Sequence, residues 1–484
     1  MSGFAFKLAP NTYLENNPQG FFLVSRSPIR TLRVSESFFS VLQMLRDSRT
    51  VAEIAQQHPG TKEDQLIPVL LSLTYRGYCR LEKTADIETS PRVSVIIPFR
   101  NSSRDLVQCL ESLAGLDYPR DRLEVLAVED GASEDSPDLS AFDVKMIRLD
   151  QARGPGAARN AGAEKSAGDI LAFLDADCIA DKNWLKETVP FLGIGGMGAV
   201  GGFVEGYYKK RSLDRYEAVS SSLNLGPRIL FEGDSESNFY VPTCNLLVNR
   251  QVFQETGGFK EGWRVGEDVD FCWRMRSRGW TLLYIPAGKV AHKHRNRLLP
   301  MLRRRGAYGT SEAALYRSHR EKRKRFLIPV WAALSFMALA VAILMQNPYP
   351  LALLPIFAGI DLWRKSGALK RFGIVFPFSQ IIAPTLRNHF SFYYFTSFHL
   401  VRYYLILLLG LGFLFHPLFF LCIFMLLLTS AVDYAVKKPR LLYPVYLFFY
   451  LLEHLAYQMG VFWGCLKLKY FGSYLPVLNR TIAI

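Results

Sequence analysis

Cysteine is scarce in this chain of 484 residues and follows no recognisable spacing. The seven cysteines are scattered and no two of them form a C-x-x-C pair, so the pattern indicates neither a disulfide framework nor a zinc site. Scattered thiols in odd number are typical of a protein in a reducing compartment. The N-terminal stretch MSGFAFKLAPNTYLENN also lacks the apolar core of a secretory signal peptide, and we expect none there.

Acidic residues are in the minority: 43 Asp and Glu stand against 58 Lys and Arg, which gives a formal net charge of +15. Much of the excess lies between residues 293 and 325, in a triple arginine (303–305) and in HREKRKR (319–325). Such a run is often a solvated helix face, but this one directly precedes the first long apolar segment. Its position favours lipid headgroups as the partner and places this side of the membrane in the cytoplasm. No nucleic-acid recognition motif accompanies the charge, so no nucleic-acid partner is expected.

Hydrophobic residues make up 50% of the chain and are concentrated beyond residue 326. Five apolar segments lie there, at 328–346, 349–363, 401–415, 417–433 and 441–466. Because a helix needs about 20 apolar residues to span a bilayer, we expect the first and last segments to span. The stretch 401–433 would form one long span or a pair broken at Pro417, and the aromatic and basic stretch 370–400 would be interfacial.

These features predict a basic interfacial segment at 301–325 and a membrane-associated region with transmembrane helices at 326–484. The expected location is the inner membrane, which the chain would cross several times. The alternative is a set of buried core helices, but the residues between the apolar runs are too few to cover them.

Residues 1–84 have the pattern of a small separate domain. The stretch GFFLVSRSPIRTLRVS predicts a β-hairpin, and Ser35 is positioned to cap the helix that follows. Two further helical segments and a final short strand complete an order typical of a winged helix. The polar stretch EKTADIETSP (82–91) has no periodicity and is expected to be a linker.

From Arg92 the pattern changes to apolar strands that alternate with helices. The strands are RVSVIIPF, LEVLAVED, VKMIRLD and DILAFL, with helical segments such as SRDLVQCLESLAGL and GAARNAGAEKSAG between them. This order predicts an α/β domain over 92–300, with a parallel sheet whose functional groups lie at the carboxyl ends of the strands.

Three loops near these strand ends carry polar residues that could contact a ligand. Pro98 and Arg100 end the first strand, Glu129 and Asp130 end the second, and Arg159 lies on a helix behind a glycine-rich turn. Each also has an ordinary explanation: an exposed loop, a capping turn or a helix start. Glycine lets the backbone approach a bound group closely, so a phosphate site is the alternative explanation for the turn.

The segment DILAFLDADCIA places Asp175 and Asp177 one residue apart directly after a buried strand. Alternation along an extended chain directs both carboxylates to the same side, where they repel each other unless a cation joins them. Mg²⁺ prefers oxygen ligands and commonly links carboxylates to substrate phosphates. A divalent-cation site is therefore predicted here, with two solvated turn acids as the alternative.

Downstream, Glu267, Asp268 and Asp270 stand at the start of the helical segment EDVDFCWRMRSRG. A helix N-terminus favours ionised carboxylates, so helix capping is one explanation. A carboxylate held there is also a competent general base for an alcohol. Further on, KVAHKHR offers His292 and His294 on one face of a strand, as a surface pair or as a further metal ligand.

Taken in this order, the segments VSVIIPFRN, VEDGASED, GPGAARNAG, AFLDADC, GEDVDFCWR and KVAH resemble those of family 2 glycosyltransferases, which have the GT-A fold. The resemblance covers residues 92–300 and implies a nucleotide-sugar site. The residues expected to contact the nucleotide-sugar are Pro98, Arg100, Glu129, Asp130, Arg159, Asp175 and Asp177. The family usually has Asp where this chain has Glu129, which puts the base contact in question.

The same resemblance implies roles for the remaining acids and for one histidine. Asp177 would bind Mg²⁺ or Mn²⁺, with His292 as a further ligand. Asp268 would be the catalytic base, and Glu267 and Asp270 would lie on the acceptor side.

The segment from LENNPQGFF to SRTVAEIA is similar to PqqD-like domains, winged-helix modules that bind precursor peptides. Such a domain ahead of a family 2 transferase and a membrane region resembles the glycosyltransferases of mycofactocin biosynthesis. That resemblance implies transfer of glucose from UDP-glucose to a peptide-derived acceptor. A DNA-binding or purely structural winged helix is the alternative, although basic residues are not concentrated on the expected recognition helix.

We therefore predict a membrane-anchored, inverting, metal-dependent glycosyltransferase that moves a hexose onto a hydroxyl of a peptide-derived acceptor such as premycofactocin. A processive or lipid-linked polysaccharide transferase is the first alternative. The QxxRW motif of processive synthases is absent, however, and only MLRRRGAYG stands near its place. The second alternative is a non-catalytic peptide-recruiting scaffold at the membrane, which the presence of all three acids at 175, 177 and 268 disfavours.

Overall fold

The computed structural model describes residues 4–26, 29–58, 60–83, 90–131, 137–232, 238–374 and 376–480. By its internal contacts the chain divides into two compact units. The first comprises Met1–Ala9 and Met44–Asn296, and the second comprises Pro10–Gln43 and Arg297–Ile484. Parts of the predicted linker (82–91) and of the acidic turn VEDGASED lie outside the described residues.

The N-terminal part of the chain contains short strands and three helices. They are β1 (Phe4–Leu8), β2 (Thr12–Asn17), β3 (Gly20–Arg26), β4 (Ile29–Val34), α1 (Glu36–Met44), β5 (Arg49–Thr50), α2 (Val51–Gln57), α3 (Glu63–Tyr75) and β6 (Cys79–Lys83). β2, β3 and β4 form one antiparallel sheet, and β1 pairs with both β5 and β6 in another. The predicted hairpin and helix cap are confirmed, since Ser35 Oγ accepts a hydrogen bond from the N–H of Phe38.

The observed division differs from the predicted single module at 1–84, because its two sheets belong to different units. In the first unit, Phe4 of β1 packs against Phe191 with ring centroids 4.6 Å apart. In the second unit, Phe22 of β3 is buried in one cluster with Ile374. A three-stranded sheet buries little apolar surface by itself, so each sheet takes its hydrophobic partner from elsewhere in the chain. The winged-helix and PqqD-like assignments stay predictions.

The rest of the first unit alternates strands and helices. Its elements are β7 (Val93–Phe99), α4 (Ser103–Ala114), β8 (Leu123–Glu129), β9 (Lys145–Arg148), α5 (Pro155–Lys165), β10 (Ile170–Phe173), β11 (Cys178–Ala180), α6 (Trp184–Thr188), β12 (Met197–Gly201), β13 (Val204–Gly206), α7 (Ser212–Ser220), β14 (Leu230–Glu232), β15 (Leu246–Asn249), α8 (Arg250–Thr256), α9 (Glu267–Ser277), β16 (Thr281–Tyr284) and β17 (Val290–His292).

An eight-stranded sheet forms the centre of this unit, in the order β14-β16-β12-β15-β10-β7-β8-β9. β10, β7, β8 and β9 are parallel, whereas β15 runs antiparallel to both β10 and β12, and β14 runs antiparallel to β16. β11, β17 and β13 form a second, smaller sheet. The predicted α/β class is therefore confirmed, but the main sheet is mixed rather than parallel. The difference arises because the chain enters β15 from the edge at which β10 ends.

Helix α5 lies very close to the main sheet. β7 is buried along almost its whole length, and its Ile96 lies beneath Gly162 of α5. A Cβ on Gly162 would be 2.5 Å from Cγ2 of Ile96, so a glycine is needed for this approach. Arg159, one helical turn earlier, is thereby held against the end of the sheet.

The second unit is mainly helical beyond residue 297. Its elements there are α10 (Leu298–Ser318), β18 (Arg325–Ile328), α11 (Val330–Leu344), α12 (Leu353–Arg371), α13 (Phe378–Gly412), α14 (Pro417–Lys437), α15 (Tyr443–Leu468) and β19 (Val477–Arg480). β18 and β19 form a parallel pair.

Among the described residues, two helices are long and apolar enough to cross a membrane, namely α13 and α14. The first and last apolar segments do not meet this measure, because α11 has only 15 residues and α15 carries polar residues such as Glu453 and His454. The stretch expected to be interfacial instead contributes to α13, which is continuous from Phe378 to Gly412. Of the two alternatives for 401–433, the structure shows the pair broken at Pro417, since α14 begins there.

Helices α10 and α15 touch each other through glycines. A Cβ on Gly460 would collide with the carbonyl oxygen of Gly306, and one on Gly464 would lie 2.5 Å from the carbonyl oxygen of Thr310. Small residues at such an interface let two helix backbones approach closely, and dispersion contacts then hold them together. The close contact between α10 and α15 therefore depends on the absence of side chains at these positions.

Replacing Gly460 by alanine is expected to destabilise the protein by about 1–3 kcal/mol, because the added methyl group has no room between the backbones. Thermal unfolding of the detergent-solubilised chain measures the effect as a lower midpoint. Gly359→Ala in α12 is the matched control, since a Cβ there meets nothing within 4 Å. Equal midpoints for the two variants would contradict the close packing.

Candidate functional site

The candidate site lies at the carboxyl edge of the parallel strands in the first unit. Asp175 and Asp177 stand between β10 and β11. The start of β15 pairs with the end of β10, since Leu246 is opposite Phe173, so the preceding turn Thr243–Asn245 reaches the same edge. Segments that are far apart in sequence therefore present polar groups together.

Arg159 of α5 joins two of the predicted site residues. It donates one hydrogen bond to Asp175 Oδ1 at 2.6 Å and another to Glu267 Oε1 at 2.9 Å, from different guanidinium nitrogens. The Arg159 side chain is only 3% exposed, whereas that of Asp175 is 31% exposed. Arg159 therefore neutralises and holds two carboxylates from beneath, a role that the sequence pattern does not reveal.

The two histidines of KVAHKHR face different partners. β17 pairs with β11 and brings His292 Nε2 to 3.5 Å from Asp177 Oδ1. His294 is buried, and its Nε2 lies 3.3 Å from Asp214 Oδ1 instead. Of the two histidines left open by the sequence, His292 is the one beside Asp177.

The donors around Asp177 suit a divalent cation whose coordination the substrate completes. Within the described ranges, no group of three or more His, Cys, Asp or Glu side chains is placed to hold a metal ion. Asp177 and His292 supply two donors, 17% and 18% exposed, and Arg295 Nη1 lies 3.4 Å from the other carboxylate oxygen of Asp177. Carboxylate oxygen suits both Mg²⁺ and Mn²⁺, whereas imidazole nitrogen suits other transition metals better. Asp177 is therefore the donor that fits the predicted cation, with His292 beside it.

Asp268 stands in the first turn of α9, and its Oδ1 accepts a hydrogen bond of 2.8 Å from the N–H of Val269. Burial raises the pKa of Asp268 to about 7, and the neighbouring Glu267 carboxylate adds to the rise. The Val269 N–H and the charge of Arg159 act in the opposite direction. A carboxyl group whose pKa lies near neutrality is well matched to general base catalysis.

The other two acids of this helix, Glu267 and Asp270, are buried and paired with arginines, and their expected place on the acceptor side stays a prediction. Asp270 is 1% exposed and its Oδ2 accepts a hydrogen bond of 2.8 Å from Arg274 Nε, while Glu267 is 7% exposed and bound by Arg159. Residues three apart share one helix face, and this face is turned inward. Glu267 and Asp270 therefore fasten α9 to its surroundings rather than face solvent.

Asp130, directly after β8, shapes the glycine-rich turn. Asp130 Oδ1 accepts the N–H of Arg153 at 2.7 Å and Asp130 Oδ2 accepts that of Gly154 at 2.9 Å. Gly154 has a φ of +95°, which glycine adopts readily, and α5 begins at the next residue. Glu129 is buried, with Arg148 Nε 3.2 Å from its Oε2.

Two further residues expected to contact the nucleotide lie at the end of β7. Pro98 is part of this strand, and Arg100 is exposed directly after it. The nucleotide contacts expected of Pro98, Arg100, Glu129 and Asp130 stay predictions.

Asn245 supports the site, although the motifs in the sequence do not point to it. It is fully buried, accepts a hydrogen bond from Trp184 Nε1 at 2.8 Å and donates to the carbonyl oxygens of Phe203 at 3.1 Å and Gly288 at 2.8 Å. These bonds fix the segments that lead into β13 and β17, and so the position of His292. The available signal was an asparagine inside an otherwise apolar segment, since a buried amide needs partners.

The charges of Asp175, Asp177 and Asp268 all affect the pKa of one thiol, that of Cys244. The pKa of the buried Cys244 thiol is raised overall, although its hydrogen bond with Cys178 lowers it. Burial contributes to the rise, and so do the carboxylates of Asp175, Asp177 and Asp268. The charges of all three acids predicted for catalysis and metal binding therefore reach Cys244.

The chain is similar to known glycosyltransferases. The model of the Glycosyl transferase family 2 matches residues 94–257. The pre-mycofactocin glycosyltransferase of Mycobacterium tuberculosis (strain ATCC 25618 / H37Rv) is 32% identical over 258 residues, which cover 51% of this chain and 53% of that protein. Glycosyltransferase AglE of Haloferax volcanii is 30% identical over 259 residues, which cover 51% of this chain and 82% of that protein.

A search of solved structures gives more distant matches. The mannosyltransferase PcManGT from Pyrobaculum calidifontis, solved in complex with GDP-Man and Mn²⁺, is 18% identical, with a TM-score of 0.39. The match covers 62% of this chain and 88% of that chain.

The chain belongs to glycosyl transferase family 2 and resembles the pre-mycofactocin glycosyltransferases within it. The matched region contains Asp175 and Asp177, and Asp268 and His292 follow it in the same unit. The chain spans about half the length of the pre-mycofactocin glycosyltransferases that it matches.

Replacing His292 by alanine is expected to weaken Mn²⁺ binding by about tenfold or more, because one of two protein ligands is lost. Calorimetric titration of the purified full chain with Mn²⁺ measures the change. His294→Gln is the control, since His294 faces Asp214 and should leave Mn²⁺ affinity unaltered. A larger loss of Mn²⁺ affinity in His294→Gln than in His292→Ala would show that His294, and not His292, is the metal ligand.

Proposed function

We propose that the protein is a membrane-associated glycosyltransferase that moves a hexose from a nucleotide-diphospho-sugar to a hydroxyl group of its acceptor, with inversion at the anomeric carbon. The observation that carries the proposal is that Arg159 bonds both Asp175 and Glu267, so it joins the loop of the two aspartates to the first turn of α9, where Asp268 lies. His292 lies beside Asp177, and the pKa of Asp268 is raised. Carboxyl groups in such different surroundings are suited to different tasks in one reaction.

The donor would lie along the open side of this edge. A divalent cation held by Asp177 and His292 would neutralise the diphosphate leaving group. The Asp175 side chain is 31% exposed, and its open oxygen is available to accept hydrogen bonds from ribose or sugar hydroxyls.

Asp268 is assigned the role of base. Its carboxylate takes the proton of the acceptor hydroxyl as that oxygen attacks the anomeric carbon. The new bond joins the acceptor oxygen to this carbon while the bond between the carbon and the diphosphate oxygen breaks, and the electron pair leaves with the nucleoside diphosphate. One displacement of this kind inverts the configuration.

A peptide-derived acceptor such as premycofactocin, and UDP-glucose as the donor, are the finer parts of the proposal. They are supported by the 32% identity to the pre-mycofactocin glycosyltransferase and by the PqqD-like pattern of residues 1–84. The lipid bilayer is the further partner, since α13 and α14 have the length and composition of membrane spans. We place the protein in the inner membrane as a multi-pass protein with its catalytic unit in the cytoplasm, because basic residues precede these helices.

Purified full-length protein with Mn²⁺ is expected to release nucleoside diphosphate from one nucleotide-sugar, with UDP-glucose tested first. Asp268→Asn should lower kcat by about 100- to 10,000-fold while donor affinity stays the same, because the amide cannot take a proton. Steady-state kinetics and donor calorimetry measure the two quantities. A protein without turnover of any donor would instead support the non-catalytic scaffold.

The raised pKa of Asp268 predicts opposite effects on activity and stability. The rate should rise with pH through about 7, since only the ionised carboxylate accepts a proton. Because the folded-state pKa is above the unfolded one, ionisation of Asp268 costs stability that grows as pH rises from the unfolded to the folded pKa. Asp268→Asn should therefore raise the thermal midpoint at pH 8 by a few degrees and have little effect at pH 4. A lower midpoint at pH 8 would contradict the raised pKa.

A further inference from the structure

Arg159 is the buried cation between the acids of the site. Its side chain is 3% exposed and its guanidinium lies over the Phe259 ring, 5.6 Å from the centroid. Two of its nitrogens are engaged by Asp175 and Glu267, and its Nε has no hydrogen-bond partner in the described part of the chain. A side chain enclosed in this way presents little surface to a substrate.

We propose that Arg159 is a positioning residue that ties the loop of Asp175 to the first turn of α9 and thereby fixes Asp268 opposite the donor. This inference rests on the proposed function, because it takes Asp268 as the base. It assigns Arg159 a contact with the protein's own acids in place of the nucleotide contact expected from the sequence. We call Arg159 together with the carboxylates of Asp175 and Glu267 the clamp.

The geometry requires an arginine. Separate nitrogens of one planar group reach Asp175 at 2.6 Å and Glu267 at 2.9 Å. A lysine carries a compact charge on a flexible chain and cannot hold two carboxylates in this fixed geometry. Since Glu267 is adjacent to Asp268, holding the Glu267 carboxylate also fixes the first turn of α9 and the direction of the base.

The clamp also determines the charge around the base. The ionisable groups that face Asp268 from the surrounding elements are Glu267 and Cys272 on α9, Arg159 on α5, Asp175 after β10 and Cys244 before β15. The carboxylates of Glu267 and Asp175 raise the pKa of Asp268, and Arg159 lowers it. Removing the Arg159 charge should therefore raise this pKa, and removing the Glu267 charge should lower it.

The test compares kcat and donor KM across pH for the full-length wild type and three variants. Arg159→Lys is expected to lower kcat by about 10- to 100-fold with donor KM changed by less than about threefold, since the base is misplaced and donor contacts remain. Glu267→Gln should move the acid limb of the pH profile to lower pH, and Arg159→Met should move it to higher pH. If Arg159→Met does not fold, Glu267→Gln carries the test alone.

A second ion pair supplies the control. Arg153 and Glu261 form a salt bridge near the starts of α5 and α9, but their side chains are 56% and 46% exposed. Exposed pairs contribute little, so Glu261→Gln is expected to change kcat by less than about twofold and to leave the pH profile unshifted.

A rise in donor KM of about tenfold or more for Arg159→Lys, with an unshifted pH profile, would make Arg159 a nucleotide ligand and overturn the inference. An unshifted acid limb in Glu267→Gln would overturn it as well. If the wild type turns over no donor, the proposed function fails, and thermal unfolding tests the clamp instead. The pH above which the stabilisation by Asp268→Asn stops growing should then fall in the Glu267→Gln background, because this pH follows the folded-state pKa of Asp268. An unchanged pH would refute the clamp.

Discussion

Repulsion among carboxylates is the constraint on which the site depends. The carboxylates of Asp175, Glu267 and Asp268 repel one another, and burying an ionised carboxylate without a counter-charge costs free energy. Arg159 resolves the conflict by binding the first two, which leaves Asp268 with the raised pKa. The position of Arg159 depends in turn on the close approach of α5 to the sheet at Gly162. A glycine in the core is therefore linked, through one helix, to the pKa of the half-buried Asp268 carboxyl group.

The parts of the site that depend on local alternation could be predicted from the sequence. Asp175 and Asp177 follow a buried strand and lie at the expected edge, because strand geometry is set by neighbouring residues. The phase of α9 could not be predicted, since the face turned inward depends on Arg159 and on packing from distant segments. The same limit applies to His292 and His294: β17 ends at residue 292, so the alternation that would place them together stops there.

Helices and strands that depend on neighbouring residues could be predicted, whereas the pairing of segments that are distant in sequence could not. The α/β order follows from short-range pattern, and Pro417 marked one of the two alternatives for residues 401–433. The antiparallel direction of β15 could not be predicted in this way, because it depends on the path of the chain between β15 and the strands with which it pairs. The length of the apolar segment 441–466 suggested a membrane span. A helix that packs against α10 through glycines, as α15 does, can have the same apolar composition as one that faces lipid.

The division of the N-terminal segment has a consequence for how the protein is made. The chain passes between its two units after residues 9, 43 and 296, so no single cut through the backbone separates them. Phe22 leaves the ribosome roughly 350 residues before Ile374, against which it is buried, and at the usual pace of synthesis this takes tens of seconds. The apolar face of β3 must be shielded during that interval by a chaperone, by the membrane surface or by transient contacts. The first sheet to be synthesised is thus among the last parts of the protein to reach its final packing.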